Sequence, residues 1–144
     1  MKVKIKKLYA DAILPTKAHV TDAGYDLYAH SKSYDDDGNV VYGCGVAIEI
    51  PKGYVGLVFP RSSNAKKTLL LSNSVGVVDS GYRGEILFKF KLTQTFAEYP
   101  EKIYEIGERI GQIIIVPYPE IEFVEVDELS VSDRGAGGYG SSGK

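Results

Sequence analysis

Cysteine is nearly missing from this chain: Cys44 is the only one in 144 residues. An intrachain disulfide is therefore excluded, and so is any metal centre built from several thiolates. Cys44 itself reads as a small apolar residue within a strand. An excess of positive charge is missing too. Lysine and arginine total 17 against 19 acidic residues, for a formal net charge of -2 and a sequence pI near 5.7. A nucleic-acid coat or an anionic-membrane binder needs a broad basic surface, so the composition speaks against both. No apolar run approaches the ~18 residues of a membrane span. The start, Met1-Lys2-Val3-Lys4-Ile5-Lys6-Lys7, alternates charge with apolar side chains and lacks the unbroken apolar stretch of a secretory signal. A cytoplasmic location is the expectation. His19 and His30 are the only histidines, and neither is assigned a catalytic role.

What is present suits one soluble globular domain, with 44% apolar and 25% charged residues. Helical periodicity is almost absent, and strand patterns separated by Gly, Pro, Asp and Asn recur instead. Val3 and Ile5 alternate with lysines, and Val46, Ile48 and Ile50 share a face. Pro51-Lys52-Gly53 turns the chain into a strand over Tyr54–Phe59. Ile86, Phe88, Phe90 and Leu92 alternate with Lys89 and Lys91, the mark of a half-buried strand. Ile113–Val116 reads as a strand buried on both faces, and Ile121–Val126 as a further strand. Tyr34–Tyr42 reads as a hairpin with an Asp-Gly or Gly-Asn turn. Its three aspartates lack the later glutamate of a calcium loop, so no metal is assigned there. The one expected helix lies near Ser63–Leu70. Many short strands imply a sandwich, barrel or jelly roll.

The arginines carry the first chemical signal. Thirteen lysines sit mostly in alternating surface positions, but the four arginines all fall in turn-like settings rich in Gly or Ser. These are Pro60-Arg61-Ser62-Ser63, Tyr82-Arg83-Gly84-Glu85, Gly107-Glu108-Arg109-Ile110-Gly111-Gln112 and Arg134-Gly135-Ala136-Gly137-Gly138. A guanidinium fork matches phosphate oxygens, and neighbouring glycines and serines let backbone N–H groups approach an anion. The pattern points to a polyphosphate ligand, with Ser62-Ser63 capping the expected helix. Gly138–Lys144 imitates a P-loop, but that motif requires a preceding strand, a following helix and a Ser or Thr after the lysine. It is rejected. The last eleven residues, with five glycines, are costly to order.

Five segments in order complete the pattern: Ala23-Gly24-Tyr25-Asp26-Leu27; Pro60–Ser63; Asn73 through Glu85, containing Gly76, Asp79, Tyr82 and Arg83-Gly84; Gly107–Gln112; and Arg134–Gly143. Together they resemble the signatures of the dUTPase family over residues 23–143. The resemblance implies an all-β, distorted jelly-roll β-barrel over residues 1–133. It also implies a homotrimer with active sites between subunits, and a flexible Gly-rich arm over residues 134–144 that closes on the site. The implied reaction is hydrolysis of dUTP to dUMP and pyrophosphate, with Mg2+ as cofactor, limiting uracil in DNA and supplying dUMP for dTTP synthesis. The departures are Tyr139 where phenylalanine is usual, Ser63 in place of a common glycine, and Gly111 in place of a common alanine.

Roles follow from the resemblance. Asp79 resembles the general base that aims water at the α-phosphorus. Tyr82 resembles the tyrosine packing under the deoxyribose and excluding a ribose 2′-OH. Asn73, with backbone groups of its hairpin near Gly76, resembles the uracil reader, since an amide offers both donor and acceptor. Asp26 resembles the carboxylate that places Mg2+ through metal-bound water. Ser62, Arg61 and Gln112 look like phosphate-positioning groups, Ser62 and Gln112 counting with Asp79 as catalytic, and Ser63 looks like a further substrate contact. Arg134 looks like the clamp on the γ-phosphate, Tyr139 like a stacking ring over uracil, Ser141 and Ser142 like further phosphate contacts, and Gly140 like a further substrate contact. Arg83 and Glu85 are expected to form a structural ion pair, and Arg109 is assigned neither way. Two rival readings are a dCTP deaminase on the same fold and a non-catalytic nucleotide-binding regulator.

Overall fold

The computed structural model describes residues 1–93 and 102–138. Regular structure there is nine strands: β1 (Lys4–Lys7), β2 (Tyr25–Tyr28), β3 (Ser31–Tyr34), β4 (Val40–Glu49), β5 (Tyr54–Pro60), β6 (Leu69–Leu71), β7 (Gly76–Val78), β8 (Glu85–Leu92) and β9 (Arg109–Pro117). They form two antiparallel sheets. One has the order β1-β4-β8-β6 with β3 also on β4, the other β2-β9-β5-β7. Consecutive strands mostly change sheet, the winding of a jelly roll. Among the described residues hydrogen bonds do not close the strands into a ring, and the jelly roll takes the form of two sheets.

Alternation decides which side chains enter the core. Along β8, Ile86, Phe88 and Phe90 are buried while Leu87, Lys89 and Lys91 face out, as the pattern requires. Val46, Ile48 and Ile50 are buried together as expected, and Cys44 is a buried free thiol. The expected hairpin is β3–β4, whose turn is fixed by the Asp35 carboxylate accepting from the N–H groups of Asp37 and Asn39. At the centre Tyr42, Phe88, Phe90 and Tyr104 pack ring against ring. The Tyr42 hydroxyl donates to the Tyr104 carbonyl at 2.9 Å and accepts the Tyr104 N–H at 3.1 Å, tying segments 62 residues apart. Tyr42→Phe strands both backbone groups in the core and is expected to cost about 1–3 kcal/mol in urea denaturation. Burial also pushes the Tyr42 phenol up to about 12. The unfolded chain loses this proton near pH 10, the folded chain only near 12. Native stability should therefore fall between pH 10 and 12, and the phenylalanine variant should lack that component.

Four expectations are corrected. The expected helix near Ser63–Leu70 is a 3-10 turn, Ser62–Lys66, followed by β6. Burying Leu69 and Leu71 against β8 outweighs one short, weakly nucleated helix. Arg61, not a serine, holds the cap position, and no side chain caps the turn. Ile113–Val116 is not buried on both faces: Ile113 is, whereas residues 114–116 are only partly covered. Ile121–Val126 forms no strand, having no ladder partner among the described residues. Its apolar side chains stand in solvent, with Phe123 91% exposed.

Candidate active site

The site residues fall into separate groups. The first is assembled around β9. Antiparallel pairing with β2 sets Asp26 opposite Gln112, and pairing with β5 sets Phe59 opposite Gln112 and Pro60 opposite Gly111. Arg61 leaves the end of β5 beside them. Its Nε donates to Asp26 Oδ1 at 2.8 Å, while Arg109 Nη1 donates to Asp26 Oδ2 at 3.2 Å. Arg61 Nη1 reaches the Ser63 hydroxyl at 3.3 Å, and Gln112 Nε2 donates to the Pro60 carbonyl at 3.2 Å. Ser62 lies exposed at the start of the 3-10 turn. Arg109, left unassigned by the sequence, thus belongs with Asp26 and Arg61. Beside this group opens a cavity of about 390 Å³ lined by Arg61, Ser63, Lys66, Lys67, Glu108 and Arg109 among others. Lys67 is committed within it, donating to the Ile103 carbonyl at 2.8 Å and to Glu108 at 3.2 Å. The Glu105 N–H, and then Lys67, hold the Glu108 carboxyl below its usual range. Four cations against Glu108 and the shared Asp26 leave a basic hollow suited to an extended anion.

The second group lies along β7 and the turn after it. Asn73, Gly76, Tyr82, Glu85 and Leu87 line a hollow of about 180 Å³. Ser74, in the turn leading to β7, has φ 61°, the one non-glycine residue in left-handed backbone among those described. Asp79 follows β7 with its side chain exposed, and its carbonyl accepts the Tyr82 N–H at 3.0 Å. Tyr82 is exposed, with its hydroxyl donating to the Glu85 carbonyl at 2.9 Å. The expected Arg83–Glu85 ion pair does not form. Glu85 Oε1 accepts the Gly45 N–H at 2.7 Å, satisfying a backbone donor at the irregular stretch of β4. Arg83 instead donates to the carbonyls of Ser80 and Tyr82 at 2.7 and 2.8 Å.

The third group is the arm. Arg134 Nε donates to the Gly137 carbonyl at 2.9 Å in a local turn, exposed and apart from the other two groups' hydrogen bonds. Tyr139, Gly140, Ser141 and Ser142 lie outside the described residues.

Register keeps Asp79 apart from Ser62 within one chain. Val78 pairs with Gly56, so Asp79 runs on toward Val55, whereas Ser62 lies beyond Pro60 at the other end of β5. At about 3.3 Å per strand residue, seven residues separate Ser62 from Asp79 by roughly 20 Å.

A family model described as dUTPase matches residues 10–143. The chain belongs to the dUTPase family. The deoxyuridine 5′-triphosphate nucleotidohydrolase of Corynebacterium diphtheriae is 41% identical over 143 residues, covering 98% of this chain and 92% of that one. That of Thermobifida fusca is 43% identical over 145 residues, covering 99% and 79%. Among solved structures, the Staphylococcus bacteriophage 80alpha dUTPase with dUpNHpp superposes with a TM-score of 0.85 at 33% identity, covering 99% of both chains. As a dUTPase the chain is a hydrolase of nucleotide metabolism, a dUTP diphosphatase. Its departure at Gly111 has a packing reason. A Cβ there would lie 2.9 Å from the Phe59 carbonyl oxygen and nearer still to the Phe88 ring, so the bulky Phe88 excludes the common alanine.

Proposed function

We propose that this dUTPase hydrolyses dUTP to dUMP and pyrophosphate by attack of water on the α-phosphorus, in sites shared between three copies. The observation that carries the reading is the convergence of Arg61, Arg109, Ser63 and Gln112 around Asp26, beside a basic hollow with room for a triphosphate. Arg61, Ser62, Ser63 and Gln112 position the phosphate chain. Asn73 and the backbone near Gly76 read the uracil edge, and Tyr82 packs under the deoxyribose. Asp79 accepts the proton of the attacking water as its oxygen bonds to the α-phosphorus and the bridge to the β-phosphorus breaks. Pyrophosphate leaves. Arg134 clamps the γ-phosphate, Tyr139 stacks on uracil, and Gly140, Ser141 and Ser142 complete the cover over residues 134–144, excluding water from the closed site.

Magnesium fits the donor set. No group of three metal-ligating acids, cysteines or histidines occurs among the described residues, and Mg2+ prefers phosphate oxygens, waters and one or two carboxylates. Asp26 has a guanidinium on each oxygen, yet a carboxylate has about four acceptor positions, leaving some for metal-bound water. Bound there, the ion would neutralise phosphate charge and fix the chain's conformation.

The register supports sharing between copies. Asp79 and Ser62, roughly 20 Å apart on one chain, serve one phosphate chain only if they come from different copies. The bare apolar side chains of residues 121–131 and the edge of β1, unpaired among the described residues, supply surface for such an assembly. Pyrophosphate release with dUTP, dTTP, dCTP and UTP, with and without magnesium, tests the activity. Release from dUTP alone, dependent on magnesium, is expected. Ammonia from dCTP would support the deaminase instead, and tight dUTP binding without pyrophosphate a regulator. Light scattering should give three chains, and a fully active monomer would refute the shared site. No helix among the described residues is long and apolar enough to cross a membrane; we place the enzyme in the cytoplasm.

A further inference from the structure

We infer that Gly84 is a positioning residue for Tyr82 and thereby sets the discrimination between deoxyribose and ribose. The inference rests on the proposed role of Tyr82 under the sugar. The Tyr82 hydroxyl reaches the Glu85 carbonyl three residues on, at 2.9 Å, so the ring must fold back across the backbone between them. Gly84 is what it crosses. A Cβ built on Gly84 would lie 2.9 Å from Tyr82 Cε2 and nearer still to Cζ and the hydroxyl, and those three side-chain atoms are its nearest neighbours. Contacts this short are not tolerated, so any side chain at 84 lifts the ring.

The backbone itself makes no demand for glycine. Gly84 is not among the residues with positive φ, so alanine meets no conformational strain there. The turn is also held independently of the ring: the Tyr82 N–H bonds to the Asp79 carbonyl, and Arg83 bonds to the Ser80 and Tyr82 carbonyls from outside. A methyl group at 84 therefore displaces one aromatic ring and leaves the hairpin that carries it. A ring that excludes a 2′-hydroxyl does so only if fixed to within about 0.5 Å. Lifted from its seat and freed from the Glu85 carbonyl, it loses its grip on deoxyribose and its clash with ribose together.

The test is kcat/KM for dUTP and for UTP in the native enzyme, Gly84→Ala, Tyr82→Ala and the double variant, with melting temperatures. Tyr82→Ala should collapse the dUTP-to-UTP ratio, and Gly84→Ala should lower it by at least about tenfold. The double variant should match Tyr82→Ala alone, because the methyl has no ring left to displace. If Gly84→Ala melts early, the double variant should regain the melting temperature of Tyr82→Ala. A native ratio in Gly84→Ala beside a collapsed ratio in Tyr82→Ala overturns the role of Gly84 and leaves that of Tyr82 standing. A native ratio in Tyr82→Ala overturns both. Where Gly84→Ala melts early, a double variant that melts equally early also sinks the inference, since the clash would then lie elsewhere.

Discussion

Asp79→Asn should lower the turnover of dUTP by at least about a hundredfold while leaving nucleotide affinity nearly unchanged. A positioned general base contributes about 10²–10⁴ in rate, and asparagine keeps the shape of aspartate without its capacity to take a proton. The fold should not notice the change. The Asp79 side chain is exposed after β7, and the contact made by this residue in the turn is through its carbonyl, to the Tyr82 N–H. Single-turnover pyrophosphate release, together with calorimetric binding of a non-hydrolysable imido analogue of dUTP, separates chemistry from affinity. Unchanged turnover would remove Asp79 from the mechanism. Lost affinity with unchanged turnover of bound substrate would make it a binding residue instead.

Truncation after Asp133 should cost about two orders of magnitude in turnover, the scale of losing one charged stabiliser together with the cover that excludes water. Melting should barely move. The described part of the arm bonds only to its own neighbourhood: Gly135 N–H to Ser132, Gly137 N–H to the Arg134 carbonyl, and Arg134 to the Gly137 carbonyl. None of these reaches either sheet, so their removal exposes no core. Scanning calorimetry on the full and shortened chains checks this beside the activity assay, and a large drop in melting temperature would make the tail a structural element.

The parts of this protein legible from sequence are those governed by local rules. β8 could be read because its alternation of Phe88 and Phe90 with lysines has only one physical meaning at the surface of a core. Asp26, Arg61 and Gln112 could be grouped from their motifs, and antiparallel register then sets them side by side. What could not be read depends on partners distant in the chain. The stretch after Ser63 looks helical until Leu69 and Leu71 find β8. Arg83 and Glu85 look like a pair, but the Gly45 N–H, forty positions earlier in the chain, claims the carboxylate. Gly111 looked like a plain departure, and Phe88 across the sheets explains it. Ile121–Val126 has the composition of a strand, but composition does not supply a ladder.

The sharing of sites that we propose from the register of β7 on β5 has a genetic consequence. A copy lacking Asp79 still offers an intact phosphate-binding end, and a copy lacking Ser62 still offers an intact base. Mixed in one assembly, two dead proteins rebuild some working centres, so the two defects should complement each other in a cell that carries both. A copy defective at both ends behaves differently: made in excess, it captures native chains whose remaining halves then find no working partner, and it acts as a dominant poison.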